Sequence, residues 1–212
     1  MRQVSVTTSD PVGYQESLDP HTCLRFERIF QRHPTKMKDP NVGDGKRWTC
    51  EGVPALPGVA WCQAGCQAMQ SIAQDAKFTP AQQKQLVVLE NSILRTEQGA
   101  ENQIGHFDLH VHSPPTPGTI PPAIIAVTPV LSDASLRILP MGATRDIPTH
   151  AEFDRLCVPV PVRCGQTLLM RYDMAHSGTG EHGLRLHSIL GRPGQQGSLG
   201  NTFPLPVTKR NQ

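Results

Sequence analysis

Between Gln103 and Gly191, apolar and polar residues fall into short runs that break every few positions at Pro, Gly or Ser. "QIGHFDLHVH" (103–112) alternates, "AIIAVTPVL" (123–131) is a β-branched apolar run, and "SLRILPM", "CVPVPVRCGQTLLMRY" and "LRLHSILG" follow in the same manner. Each reads as a strand. Strand after strand without intervening helices points to an antiparallel sandwich or barrel rather than a parallel α/β sheet. The clearest helical period lies upstream, in "TPAQQKQLVVLENSILRTE" (79–97). There Thr79 is placed as N-cap and Pro80 as the first helical residue, while Leu86, Leu89, Ile93 and Leu94 make an apolar stripe. The pattern predicts a helix over 79–97 packed on the sheet.

Before that helix, Pro11, Pro20, Pro34, Pro40, Pro54 and Pro57 interrupt any long period. Short helices are expected at 22–31 and 62–75, with "HPTKMKDPNVGDGK" (33–46) and "KRWTCEG" (46–52) as surface loops. The chain of 212 residues therefore divides into an N-terminal helix and loop extension (1–76) that packs on a core (77–195), followed by a tail (196–212). Twenty prolines and eighteen glycines suit a β-rich fold with many turns.

Charge and cysteine content narrow the classes. The formal net charge is +2, without a run of basic residues that would mark a nucleic-acid partner. No apolar stretch has the length of a membrane span or a signal peptide, so the expectation is an intracellular chain, cytoplasmic or nuclear, with no membrane partner. The six cysteines are expected to be reduced thiols. Cys23, Cys50, Cys62 and Cys66 lack the paired spacing of a zinc site.

The candidate chemistry sits in the first alternating run. On an extended strand His106, Asp108, His110 and His112 share one face, and Phe107, Leu109 and Val111 the other. His106 and Asp108 stand about 7 Å apart at Cα and can converge on one metal ion, with a third ligand from elsewhere. One continuation is local: "DLHVHS" resembles the opening of the polymerase-and-histidinol-phosphatase type metal hydrolases. The Asp and His that this family carries next are missing from "SPPTPGTIPP" and "VTPVLSDAS".

The other continuation is distant. "CGQTLLMRYDMAHSGTGEHGLRLHSILGR" supplies His176 and, nine residues later, Arg185. His-x-Asp, a distal His and an Arg on the last core strand resemble the Fe(II)/2-oxoglutarate-dependent dioxygenases. The nearest branch is the phytanoyl-CoA dioxygenase-like one, whose strand, Gly-containing turn, strand and His-Ser/Gly segment is similar to "VPVPVRCGQTLLMRYDMAHSGTG". The resemblance covers about residues 100–192.

That resemblance implies a mainly β (α+β) fold with a double-stranded β-helix, or jelly-roll, core and flanking helices. It implies Fe(II) held by His106, Asp108 and His176, with three positions left for 2-oxoglutarate and O2. Arg185 would then grip the distal carboxylate of 2-oxoglutarate. The implied reaction hydroxylates or otherwise oxidises a substrate while 2-oxoglutarate is decarboxylated to succinate and CO2. Strand parity sets Arg185 beside His187 and Ile189 on the barrel side, with Leu184, Leu186 and Leu190 opposite. Some relatives carry Ser two positions after the Arg, where this chain has His187.

His182, in a Gly-rich turn, is passed over as a ligand in favour of His176, and His110, His112, His150 and His187 read as structural histidines. Substrate contacts are expected from 1–76 and from the loops 112–122 and 143–156. Two alternatives stand beside the dioxygenase: a non-catalytic jelly-roll binding module and the metal-dependent phosphoesterase. The substrate class, whether small molecule, protein side chain or nucleobase, is left open.

Overall fold

The strand runs pair into two antiparallel sheets in a computed structural model, which describes residues 12–16, 24, 27–28, 30–32, 37–38, 45–51, 87–108, 123–140, 142–191 and 203–208. The strands are β1 (Val12–Glu16), β2 (Met37–Lys38), β3 (Arg47–Glu51), β4 (Val87–Thr96), β5 (His106–Phe107) and β6 (Ala123–Pro129). After these come β7 (Ala134–Ile138), β8 (Val158–Val162), β9 (Gln166–Arg171), β10 (His176–Gly178), β11 (Gly183–Gly191) and β12 (Phe203–Pro204). A seven-stranded sheet runs β1-β9-β6-β11-β4-β3-β2 and a five-stranded sheet runs β12-β5-β10-β7-β8. This is the mainly β jelly-roll arrangement that the sequence resemblance implies.

The core forms where the two sheets face each other. Ile125 and Val127 from β6 and Leu168 and Met170 from β9 pack with Leu136 and Ile138 from β7 and Val162 from β8. Residues directly opposite across an antiparallel pair share a face, so β6 orients β11. Arg185 pairs with Pro129, His187 with Val127 and Ile189 with Ile125. Arg185, His187 and Ile189 therefore point between the sheets, as strand parity requires. His176 likewise pairs with both His106 and Ile138, which sets the two histidines on the inner face of the smaller sheet.

A second cluster closes the end of the sandwich near β5. Phe107, Leu139, Phe153, Ala175 and Leu205 pack together there. Phe153 belongs to helix α1 (His150–Leu156), which starts on a capping box: the Thr149 hydroxyl accepts from the Glu152 backbone N–H, and the Thr149 N–H donates to the Glu152 carboxylate.

Four sequence expectations change. The segment predicted as a helix over 79–97 is strand β4 at 87–96, between β11 and β3; residues 79–86 lie outside the described set. Asn91, Ser92 and Ile93 are all buried, and a strand covered on both faces loses the alternation that separates it from a helix. The "KRWTCEG" surface loop is strand β3, whose Arg47 is only 2% exposed. Its guanidinium bonds Thr96 and the carbonyls of Glu101, Gly178 and Thr179. The 143–156 loop contains α1, and the stretch read as a tail contributes β12, which pairs with β5 beside the histidine strand.

The N-terminal stretch is partly as expected. Leu24, Glu27, Arg28, Phe30, Gln31 and Arg32 are helical, and Phe30 is buried under the Arg95 guanidinium on the outer side of β4. It also contributes β1, β2 and β3 to the large sheet, and these were not anticipated. The helix expected at 62–75 lies outside the described residues. Among the described residues no helix is long and apolar enough to cross a membrane.

A Cβ on Gly105, next to His106, would sit 2.6 Å from Phe153 Cδ1 and 2.9 Å from Leu205 Cδ1. Gly105→Ala is therefore predicted to cost about 1–3 kcal/mol by overpacking the second cluster. Denaturant unfolding measures this as a lowered midpoint at unchanged slope; an unchanged midpoint would contradict the packing described for this end of the sandwich.

Candidate metal centre

Two strands of the smaller sheet and one strand of the larger bring the polar groups together. His106 lies on β5, Asp108 directly after it and His176 on the neighbouring β10; Arg185 and His187 face them from β11. All five are buried, none more than 8% exposed. One potential ligand atom from each of His106, Asp108 and His176 lies within 4.8 Å of the others. The imidazole rings of His106 and His176 are 4.7 Å apart at their centroids.

The backbone fixes the tautomers of both histidines. His106 Nδ1 is 2.7 Å from the carbonyl of Ile104, and His176 Nδ1 is 3.0 Å from that of Met174. A carbonyl oxygen only accepts, so each Nδ1 carries the hydrogen and each neutral ring keeps a lone pair on Nε2. Both Nε2 atoms face the Asp108 carboxylate: His106 at 3.5 Å from Oδ1 and His176 at 3.2 Å from Oδ2. His187 Nε2 is also 3.2 Å from Oδ2. Among the described residues Oδ2 has no aligned hydrogen-bond donor, nor has His187 Nδ1 any partner.

Lone pairs turned toward a buried carboxylate repel unless a positive charge lies between them. Either a proton or a metal ion meets that demand. Without metal the proton goes to His176: burial pushes its pKa down, but the Asp108 carboxylate more than reverses this, leaving it above the ordinary histidine value. Burial raises the Asp108 pKa, yet the surrounding His176, His187 and His106 side chains hold it well below the usual carboxylate value. For His187 burial prevails over the attraction of Asp108, so its pKa falls, and the charges of His176 and Arg185 add to the fall. Two imidazole nitrogens and a carboxylate gathered between the sheets are a donor set suited to Fe(II), and the lone pair on each Nε2 is the feature that such an ion requires.

The structure thus gathers all four residues singled out in the sequence, His106, Asp108, His176 and Arg185. His182 is exposed in its turn, away from the cluster. His110 and His112, together with the loop 112–122, lie outside the described residues. His150 is on α1, 2.9 Å from Asp154 of the same helix. His187 was read as structural but touches Asp108, and its parity with Arg185 was the signal for it. Gln103 was missed entirely: its side chain bonds Arg185, and nothing in its local sequence announces that. Cys157 and Cys164 are free thiols; Cys23, Cys62 and Cys66 fall outside the described residues, and the Cys50 side chain is not among those described.

No protein-family model and no curated protein sequence matches the chain. Solved structures do match. HygX from Streptomyces hygroscopicus, crystallised with nickel and 2-oxoglutarate bound, is 16% identical over 89% of this chain and 85% of its own, at a TM-score of 0.55. The epimerase SnoN, in complex with Fe3+, alpha ketoglutarate and nogalamycin RO, is 14% identical over 95% and 92%, at 0.56. AviO1 from Streptomyces viridochromogenes Tue57 is 15% identical over 90% and 94%, at 0.57. At such identities the likeness is one of architecture, and the chain shares the jelly-roll fold of these proteins.

Proposed function

We propose that the chain is an Fe(II)- and 2-oxoglutarate-dependent oxygenase, with His106, Asp108 and His176 as the metal ligands and Arg185 as the anchor for 2-oxoglutarate. The observation that carries this reading is the pair of imidazoles locked by backbone carbonyls with their Nε2 lone pairs on a buried carboxylate. The fold is compatible, since HygX and SnoN were both solved with a metal and the oxo acid bound. Within the superfamily, the segment 158–180, folded as β8, a turn, β9 and β10, is what supports placing the chain nearest the phytanoyl-CoA dioxygenase-like branch.

Each residue has a definable task. His106 and His176 supply neutral nitrogen donors, oriented by Ile104 and Met174. Asp108 supplies one negative charge and so leaves a net positive centre that attracts an anionic oxo acid. Bound there, Fe(II) with 2-oxoglutarate and O2 supplies an oxidant for substrate C–H bonds, releasing succinate and CO2. Arg185 presents a planar guanidinium to the distal carboxylate, where both oxygens can be bonded at once. The apolar layer of Ile125, Val127, Leu136 and Ile138 keeps one side of the site free of water. A phosphoesterase of the polymerase-and-histidinol-phosphatase type is not favoured, because it requires an α/β barrel and the described strands form two antiparallel sheets.

Two outcomes are expected in solution. Incubated with Fe(II), O2 and 2-oxoglutarate, the protein releases succinate, measured by mass spectrometry, and His106→Ala or His176→Ala reduces this to the protein-free background. Equal succinate release by wild type and both variants would refute the assignment, and tight metal uptake with no turnover would favour the binding module.

The second outcome concerns pH in the metal-free protein. The stabilisation from the raised His176 pKa is fully present below the unfolded histidine value of about 6.5 and is lost as pH rises through the higher folded value. That from Asp108 is present above the unfolded value of about 3.9 and is lost only as pH falls through its depressed folded value. Asp108→Asn should therefore cost more stability at pH 6 than at pH 9, measured by denaturant unfolding with chelator present. A cost that grows with pH would contradict the pairing.

A further inference from the structure

We propose that Gln103 is the positioning residue that aims Arg185 at the distal carboxylate of the bound oxo acid, an inference that rests on the oxygenase reading above. Gly178 is the last residue of β10, two positions after His176. Gln103 pairs with both of its backbone groups: the Gln103 N–H donates to the Gly178 carbonyl at 2.9 Å, and the Gln103 side-chain Oε1 accepts from the Gly178 N–H at 2.9 Å. The same Oε1 accepts from Arg185 Nη2 at 3.2 Å. An amide oxygen has two lone pairs, and here both are used.

Gly178 makes this contact possible. A Cβ at that position would overlap the Arg185 Nη2, and would lie 2.7 Å from Nη1 and 2.5 Å from Gln103 Oε1. The guanidinium therefore lies directly against the bare backbone of β10, the strand that carries His176. Arg47 braces the same corner from β3, donating to the carbonyls of Gly178 and Thr179. Gln103 is 6% exposed and Arg185 8%.

A guanidinium is planar, so fixing one of its nitrogens and one face sets where its other donors point. Oriented before the ligand arrives, Arg185 need not be ordered during binding. An amide at residue 103 also orients the cation without cancelling its charge, whereas a carboxylate there would compete with the ligand for it. Gln103 thus acts through Arg185 and not on the reacting atoms. The consequence is specific: it matters for an oxo acid with a distal carboxylate and not for a chelating anion without one.

The test compares two ligands on the Mn(II)-loaded protein by titration calorimetry: 2-oxoglutarate, and oxalate, which keeps the chelating oxygens but lacks the distal carboxylate. Gln103→Leu is predicted to weaken 2-oxoglutarate about tenfold while oxalate and Mn(II) affinities stay at wild-type values, as for loss of a charged hydrogen-bond partner. Gln103→Glu keeps an acceptor toward both donors and so guards against simple misfolding of the Leu variant. It is predicted to lower 2-oxoglutarate affinity and again spare oxalate. Equal weakening of both ligands, or of neither, in the two variants overturns the proposal. Wild-type protein that binds Mn(II) but not 2-oxoglutarate removes the oxygenase reading and this inference with it; wild-type binding of 2-oxoglutarate with an unchanged ligand preference in both variants removes this inference alone.

Discussion

The structure turns on one buried negative charge. Asp108, 2% exposed, lies between two sheets with three imidazole Nε2 atoms within 3.5 Å of its oxygens. Burying a carboxylate costs several kcal/mol after relaxation, and its neighbours return that cost only when a positive charge sits among them. Two of these three histidines, His106 and His176, have their hydrogen fixed on the far nitrogen by a backbone carbonyl. The cluster thus favours a cation among these groups: a proton in the metal-free state, and a metal ion in the proposed oxygenase.

Much of the fold serves to hold that carboxylate and its partners in place. β5 and β10 pair through His106 and His176, so the two proposed nitrogen ligands are set by a single rung of an antiparallel ladder. β12 closes the outer edge of β5, and α1 inserts Phe153 beneath Phe107 and Leu205. From the other sheet β11 presents Arg185 and His187 on the inner face, locked in register by β6 and β4. The proposed metal ligands and the proposed anion anchor therefore belong to different sheets. Gly178 and Gln103 are the points where they meet.

The sequence made the site more legible than the scaffold around it. Period-two alternation placed His106 with Asp108 and Arg185 with His187, because a strand with one face on a packed core leaves an unambiguous parity. β4 misled because both of its faces are covered; Asn91, Ser92 and Ile93 are buried in succession, and an apolar stripe at three- and four-residue spacing then carries no information on helix or strand. β3 misled because a basic, aromatic run looks solvated, whereas the Arg47 guanidinium is consumed by three backbone carbonyls and a threonine. These bonds are long-range in sequence, and no local pattern encodes them. The same holds for Gln103, whose role depends on a glycine and an arginine that lie far along the chain.

The central claim, that this cluster holds a metal ion with 2-oxoglutarate on it, is tested most directly by anomalous diffraction from crystals grown without oxygen in Mn(II) and 2-oxoglutarate. The account predicts one strong anomalous peak bonded to His106 Nε2, His176 Nε2 and an Asp108 oxygen, with the distal carboxylate of 2-oxoglutarate on Arg185. A metal peak elsewhere in the chain, or none under conditions that saturate the protein in solution, would contradict it.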